Sequence, residues 1–252
     1  MSLASEYRNQ FQWRNWQGVL EALAPLRGQT VLDLGCGIGD LAAELAARGA
    51  GVLGVDANPE LLEYARSRQI PNVEFRNVDL RGPVELGITA DGIWCSFAAA
   101  YFVDLPAALW SWARNLKPGG WIAVTEIDDL FGHEPLSART ETLLNAYCDD
   151  ALTSRRYDFR AGRKLKGHLE DAGFSATKSL ILEDREFSFH GPADERVLEG
   201  WRARFERLKL LQDFLGGEFD AVRKDFLTCL MRADHRSLAK VCCSIGVKDP
   251  SS

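Results

Sequence analysis

VLDLGCGIGD, residues 31–40, runs from an apolar stretch into Gly35, Gly37 and Gly39 at alternate positions, and a helical pattern begins at Leu41. A short apolar run closed by glycines reads as a buried strand that turns directly into a helix. Glycine gives the turn backbone conformations closed to other residues and lets a ligand approach the main chain closely. Gly37, Gly39 and Ala42 also satisfy the G-x-G-x-x-G/A dinucleotide fingerprint, so the loop points to a nucleotide without choosing one.

Outward from this loop, strands are expected to begin near Thr30, Gly51, Asn72, Asp91 and Gly120. Helices fit between them. Leu41 and Leu45 share a face with Gly49 as a stop, Asn58 caps a helix with Pro59 at its first position, and Asp104 caps Leu105 to Leu116. Alternating strands and helices predict a parallel sheet. One domain over residues 1–252 is expected, with a cofactor-binding core at 30–127. Its leading helix or lid, 1–29, carries Tyr7, Phe11, Trp13 and Trp16, which either cover the sheet edge or close a site. After Ile127 come a polar turn, Gly132 to Pro135, and a helical cap region, 128–172. Ser175 to Phe189 reads as one long strand or a bent pair. An insertion of two amphipathic helices, 190–237, then precedes a last strand over Ala239 to Val247.

The chain has 252 residues, 46% hydrophobic and 26% charged, a globular composition. No apolar run is long enough to span a bilayer and the start is no secretory leader, so the expectation is cytoplasmic with no membrane partner. Six cysteines lack zinc or redox spacing and read as reduced, buried thiols. A net charge of -6 argues against nucleic acid. The one basic cluster, Arg202, Arg204, Arg207 and Lys209, alternates with Trp201, Phe205 and Leu208 and reads as a solvated helix face.

Asp56, at the end of the second strand, can accept both hydroxyls of a ribose, as nicotinamide enzymes also arrange. The discriminating residues are Asp33 inside the first strand, Asp79 in NVEFRNVDL (72–80), and LKPGGWIAV (116–124). Together these resemble the class I S-adenosylmethionine-dependent methyltransferases, and more loosely the small-molecule branch that includes the ubiquinone and menaquinone biosynthesis methyltransferases. The resemblance implies a Rossmann-like α/β fold. Its sheet has seven mostly parallel strands with helices on both faces, the last strand antiparallel, and helical insertions after strand 5 and between strands 6 and 7. It implies S-adenosyl-L-methionine as cofactor. Gly35, Gly37 and Asp33 would lie at its methionine part, Asp56 with Ala57 at the ribose, Asp79 beside Leu80 at the adenine, and Ser96 at the methionine end.

A sulfonium methyl is already electrophilic, so in-line positioning of a nucleophile is the main task and a base is optional. Relatives carry a histidine after strand four, whereas SFAAAYFVDL (96–105) places Tyr101 there. The candidate catalytic residues are therefore Tyr101 and His133, with Glu126 and Asp128 leading into the same rim. No Asn-Pro-Pro-Tyr turn follows strand four, which argues against adenine or glutamine as acceptor. Glu126, Asp128 and Asp129 are not read as a metal site. An insertion rich in Trp, Phe and Leu suggests an apolar or amphipathic small molecule. Two alternatives stand beside this reading. A NAD(P)-dependent oxidoreductase leaves Asp79 and the LKPGG turn unexplained, and a non-catalytic cofactor- or partner-binding protein rests on the absent histidine alone.

Overall fold

A computed structural model describes residues 3–82 and 84–250; Met1, Ser2, Pro83, Ser251 and Ser252, included in the expected single domain, lie outside the described residues. Seven strands form one sheet: β1 (Thr30–Leu34), β2 (Gly51–Asp56), β3 (Val73–Asn77), β4 (Ala90–Ser96), β5 (Leu116–Asp128), β7 (Phe174–Leu182) and β9 (Lys240–Lys248). Their spatial order is β3-β2-β1-β4-β5-β9-β7, with β9 antiparallel to both neighbours. Two short strands, β6 (His133–Glu134) and β8 (Arg236–Ser237), pair separately. The order reverses between β1 and β4, which opens a crevice at the carboxyl ends of these strands.

The sheet is buried on both faces because successive side chains point to opposite sides. Val31, Trp94 and Ala123 belong to one core cluster, while their neighbours Leu32, Ile93 and Ile122 belong to the other. The helices follow the expected punctuation. The Asn58 side chain accepts from the Glu60 and Leu61 amides to cap α4 (Pro59–Ser67), and Asp104 caps α5 (Leu105–Ala113) through the Ala107 amide. The loop of residues 35–39 leads into α3 (Asp40–Ala47).

Four boundaries differ from the sequence reading. The leading helix breaks into α1 (Leu3–Trp13) and α2 (Gln17–Ala22), because Arg14 leaves the helix to bridge Asp184. β5 starts at Leu116, which pairs with Ala90 across a register shift that absorbs the Pro-Gly-Gly turn. β7 stops at Leu182, and the Asp184 carboxylate then accepts from the Glu186 and Phe187 amides and turns the chain. The cap holds α6 (Ala138–Thr153) and α7 (Leu165–Asp171), and the insertion holds three helices, α8 (Glu195–Arg207), α9 (Lys209–Leu215) and α10 (Phe219–Leu230). Among the described residues no helix is long and apolar enough to cross a membrane. All six cysteines are free.

Candidate active site

Gly35 and Gly37 adopt φ of +75° and +52°, in the left-handed region that favours glycine. A Cβ on Gly35 would stand 2.6 Å from the Cβ of Ala98, so the loop could not hold its course with a larger residue. The loop is fixed to β2. The Gly35 and Cys36 amides donate to the Val55 carbonyl at 2.8 and 3.0 Å, and the Gly37 amide donates to Asp56 Oδ2 at 2.9 Å. The other oxygen of Asp56 accepts from the Asn58 amide at 2.8 Å. One carboxylate at the end of β2 thus ties the glycine loop to the next helix.

The crevice holds a cavity of about 580 Å³ whose lining includes Asp33, Gly35, Gly37, Asp56, Ala57, Asp79, Leu80, Ser96 and Tyr101. The structure thereby brings together every cofactor-binding residue expected from the sequence, along with one of the two catalytic candidates. Asp33 is buried at 2% exposure, and its Oδ2 has no hydrogen-bond partner in the chain. Burial, reinforced by Asp56, pushes its carboxyl up to about 7. A buried carboxylate oxygen without a donor costs stability unless a ligand supplies one. Asp79 is exposed and paired with Arg81 at 2.8 Å, which holds it down at about 2. Ser96 Oγ accepts from the Trp94 indole at 2.6 Å, and Phe97 beside it takes a φ of +58°, a strained conformation for an aromatic residue at a cavity wall. These residues fit a nucleoside that carries a cationic amino-acid chain: Asp56 and Asp79 offer acceptors to its sugar and base, and Asp33 offers one to an ammonium.

The opposite wall comes from α1 and α8, distant in sequence. Tyr7 of α1 would lie 3.4 Å from a Cβ on Gly37, so this helix roofs the glycine loop. Arg8 and Arg68 reach Asp40 at 3.3 and 2.8 Å, Arg14 reaches Asp184 at 2.6 Å, and Glu6 pairs with both terminal nitrogens of Arg207. Tyr101 and Tyr157 meet edge to face with ring centroids 4.8 Å apart. Beneath the turn that carries Tyr101, fully buried Glu126 accepts from the Ala100 amide at 2.9 Å, and burial pushes its carboxyl up to about 7. Arg202, Arg207 and Lys209 are exposed, as expected for their cluster, whereas the Arg204 side chain is only 15% exposed, and both Arg204 and Arg207 line the cavity. The signal was in the spacing: Arg204 sits three residues after Trp201, within the inward stripe of Trp201, Phe205 and Leu208.

His133 lies elsewhere. It is not part of this cavity's lining but of a second cavity, with Phe131, Pro135 and Leu238. Its Nδ1 is 3.0 Å from Nε2 of His235, and Trp201 and Phe226 meet its ring edge to face. Burial first, and His235 second, lower its pKa to about 3, so the ring is neutral and sequestered. The insertion closes over the polar turn, which is why a histidine that reads as a rim residue becomes interior. Among the described residues no group of three or more His, Cys, Asp or Glu is placed to hold a metal ion.

A family model described as a methyltransferase domain matches residues 6–179. The ubiquinone biosynthesis O-methyltransferase of Paracidovorax citrulli (strain AAC00-1) is 33% identical over 116 residues, covering 44% of this chain and 49% of that protein. Phosphoethanolamine N-methyltransferase 1 of Arabidopsis thaliana is 27% identical over 199 residues, covering 77% of this chain and 37% of that protein. The chain therefore spans half or less of the length of these two relatives. The solved structure of Haemonchus contortus phosphoethanolamine N-methyltransferase 2, in complex with phosphomonomethylethanolamine and S-adenosylhomocysteine, matches with a TM-score of 0.57 at 21% identity. That match covers 92% of this chain and 52% of the other, and at this identity the likeness speaks for the fold.

Proposed function

The chain belongs to the methyltransferase domain family, and on that premise we propose that it transfers a methyl group from S-adenosyl-L-methionine to a small molecule. The observation that carries this reading is the convergence of the glycine loop, Asp33, Asp56 and Asp79 on one cavity, with Asp33 Oδ2 buried and unpartnered. When bound, the cofactor supplies a methyl group on a cationic sulfur, ready for displacement.

The remaining work falls to the protein. Asp56 holds the ribose hydroxyls while its contacts to the Gly37 and Asn58 amides keep the carboxylate oriented. Asp33 would accept from the ammonium, and α1 shields the loop from water, held there by the Arg8–Asp40 pair. Holding the acceptor in line with the carbon–sulfur bond supplies up to about 7–11 kcal/mol. The chain's own part would be to present the acceptor atom to that methyl group and to let a proton on the nucleophile leave to solvent or to a neighbouring group. Tyr101 is the side chain we assign to contact the acceptor, positioned by Glu126 through the turn before it. His133 takes no part.

The aromatic wall of Phe11, Phe97, Tyr101 and Tyr157 supports an acceptor with an apolar face. Asp128 and Asp129 already face Arg163 at 2.6 and 3.7 Å, which supports transfer without a metal. Free cysteines fit a reducing compartment such as the cytoplasm, and a net charge of -6 speaks against a nucleic-acid face. Calorimetric titration with S-adenosylhomocysteine, NAD and NADP tests the reading. Micromolar binding of the first alone is expected, and selective nicotinamide binding would overturn it.

A further inference from the structure

The carboxylates that line the cavity gather at one end, where Arg81 is already taken by Asp79, whereas the only charged lining residues of the opposite wall are arginines, and we infer that the acceptor carries an anionic group, a carboxylate or a phosphate, held by Arg204 and Arg207. This rests on methyl transfer at the same site and names the acceptor's class. The lining carboxylates, Asp33, Asp40, Asp56 and Asp79, all lie at the end built by the loops after β1, β2 and β3. The wall built by α1 and α8 contributes Arg14, Arg204 and Arg207, and none of its lining residues is Asp or Glu. The acids that balance these arginines sit behind them, outside the lining. Glu6, Asp184 and Glu186 are 4%, 2% and 1% exposed.

A counterion placed behind a guanidinium occupies only part of it, since the group has five donors in a planar fork. Glu186 takes Arg204 Nη2 at 2.5 Å, while Arg204 Nε is buried with no partner. Glu6 accepts a hydrogen bond from each terminal nitrogen of Arg207. Arg204 Nε is itself out of reach, but both residues line the cavity, and the terminal N–H groups left over by Glu186 and Glu6 suit an anion there, the chemistry that arginine favours. Stability does not explain the arrangement. An inward-facing arginine whose side chain is only 15% exposed carries a desolvation cost that an apolar residue on the same stripe would avoid.

Arg14 has a different place. Its guanidinium carbon is 4.1 Å from the Phe97 ring centroid and it is paired with buried Asp184 at 2.6 Å, with its side chain only 5% exposed. Arg204 and Arg207 stand further along α8 and share their wall with Tyr101 and Tyr157, whose edge-to-face pair suits a flat body on the acceptor.

Ligand-observed NMR titration of the full chain, alone and saturated with S-adenosylhomocysteine, tests this with benzoate, phenyl phosphate, benzyl alcohol and benzylamine. The two anions are expected to bind about tenfold or more tighter than the alcohol and the amine, and the order of benzoate against phenyl phosphate identifies the group. Arg207 lies at an exposed position, and Arg207→Gln is made together with Glu6→Gln so that Glu6, 4% exposed, is not left as an unpaired buried charge. The double variant Arg204→Gln with Glu186→Gln removes a cation together with its counterion, which keeps the interior neutral. Each is expected to lose the anion preference while keeping S-adenosylhomocysteine affinity, and Arg204→Lys, which keeps the charge without the fork, is expected to lose part of it. Benzyl alcohol binding as tightly as the anions, or anion affinity unchanged in both glutamine variants, overturns the inference. Failure of S-adenosylhomocysteine to bind while arginine-dependent anion binding persists would refute methyl transfer and uphold the anion subsite.

Discussion

Acidifying the protein below pH 7 is expected to release the cofactor through one side chain, Asp33. Burial and the neighbouring Asp56 push this carboxyl up to about 7, and its Oδ2 has no partner within the chain. Only the ionised form can hold an ammonium, so the proton and the ligand compete for the same group. If affinity follows the ionised fraction, it falls roughly thirtyfold between pH 8 and pH 5.5, with its midpoint near 7 and a plateau above. Calorimetric titration with S-adenosylhomocysteine at constant ionic strength reads the profile. Asp33→Asn should flatten it at the low-affinity level, whereas Glu126→Gln, which removes the other carboxyl pushed up to about 7 by burial, should keep the slope. The sign for stability is opposite. A carboxyl raised in the folded state holds its proton more tightly there than in the unfolded chain, so its contribution is full below 3.8 and is lost as pH rises to about 7. Loss of affinity in acid is therefore not unfolding driven by Asp33. A native profile flat from pH 5.5 to 8, or a slope that survives in Asp33→Asn, would refute the assignment.

Asp56→Ala removes both the ribose acceptor and the anchor of the Gly37 amide, and should weaken S-adenosylhomocysteine binding by about 100-fold (roughly 3 kcal/mol) with a small shift in Tm; unchanged calorimetric affinity in a folded variant would reject the ribose role. Gly35→Ala forces a Cβ to 2.6 Å from Ala98 at a φ of +75°, and should cost about 1–3 kcal/mol in urea unfolding as well as ligand affinity. His133→Gln should lower the urea midpoint yet leave S-adenosylhomocysteine affinity unchanged, and a selective loss of affinity would return His133 to the site. Because the folded state resists protonating His133, its contribution to stability is lost as pH falls from 6.5 towards about 3. The stability gap between native protein and His133→Gln should accordingly narrow in acid.

The cofactor end was legible in the sequence because its contacts are short in chain terms and stereotyped. Gly37 and Asp56 are 19 positions apart, joined through one pair of adjacent parallel strands, and the glycine spacing, the strand-end acids and the helix caps are each local patterns. The acceptor end was not, because it is assembled by the insertion folding back. Glu6 and Arg207 are 201 positions apart, and His133 and His235 are 102 apart. No local pattern told whether the turn at His133 would face water or be covered by Trp201 and Phe226. Arg204 marks the boundary between these two cases. Its partner Glu186 could not be foreseen, but its place in the helix could be read, since Trp201, Arg204, Phe205 and Leu208 follow the spacing of one inward face. Arg202, Arg207 and Lys209, the rest of the basic cluster, are exposed. A charge on the buried stripe of an inserted helix needs a neutralising pair or a ligand, and Arg204 pairs with Glu186 while lining the cavity.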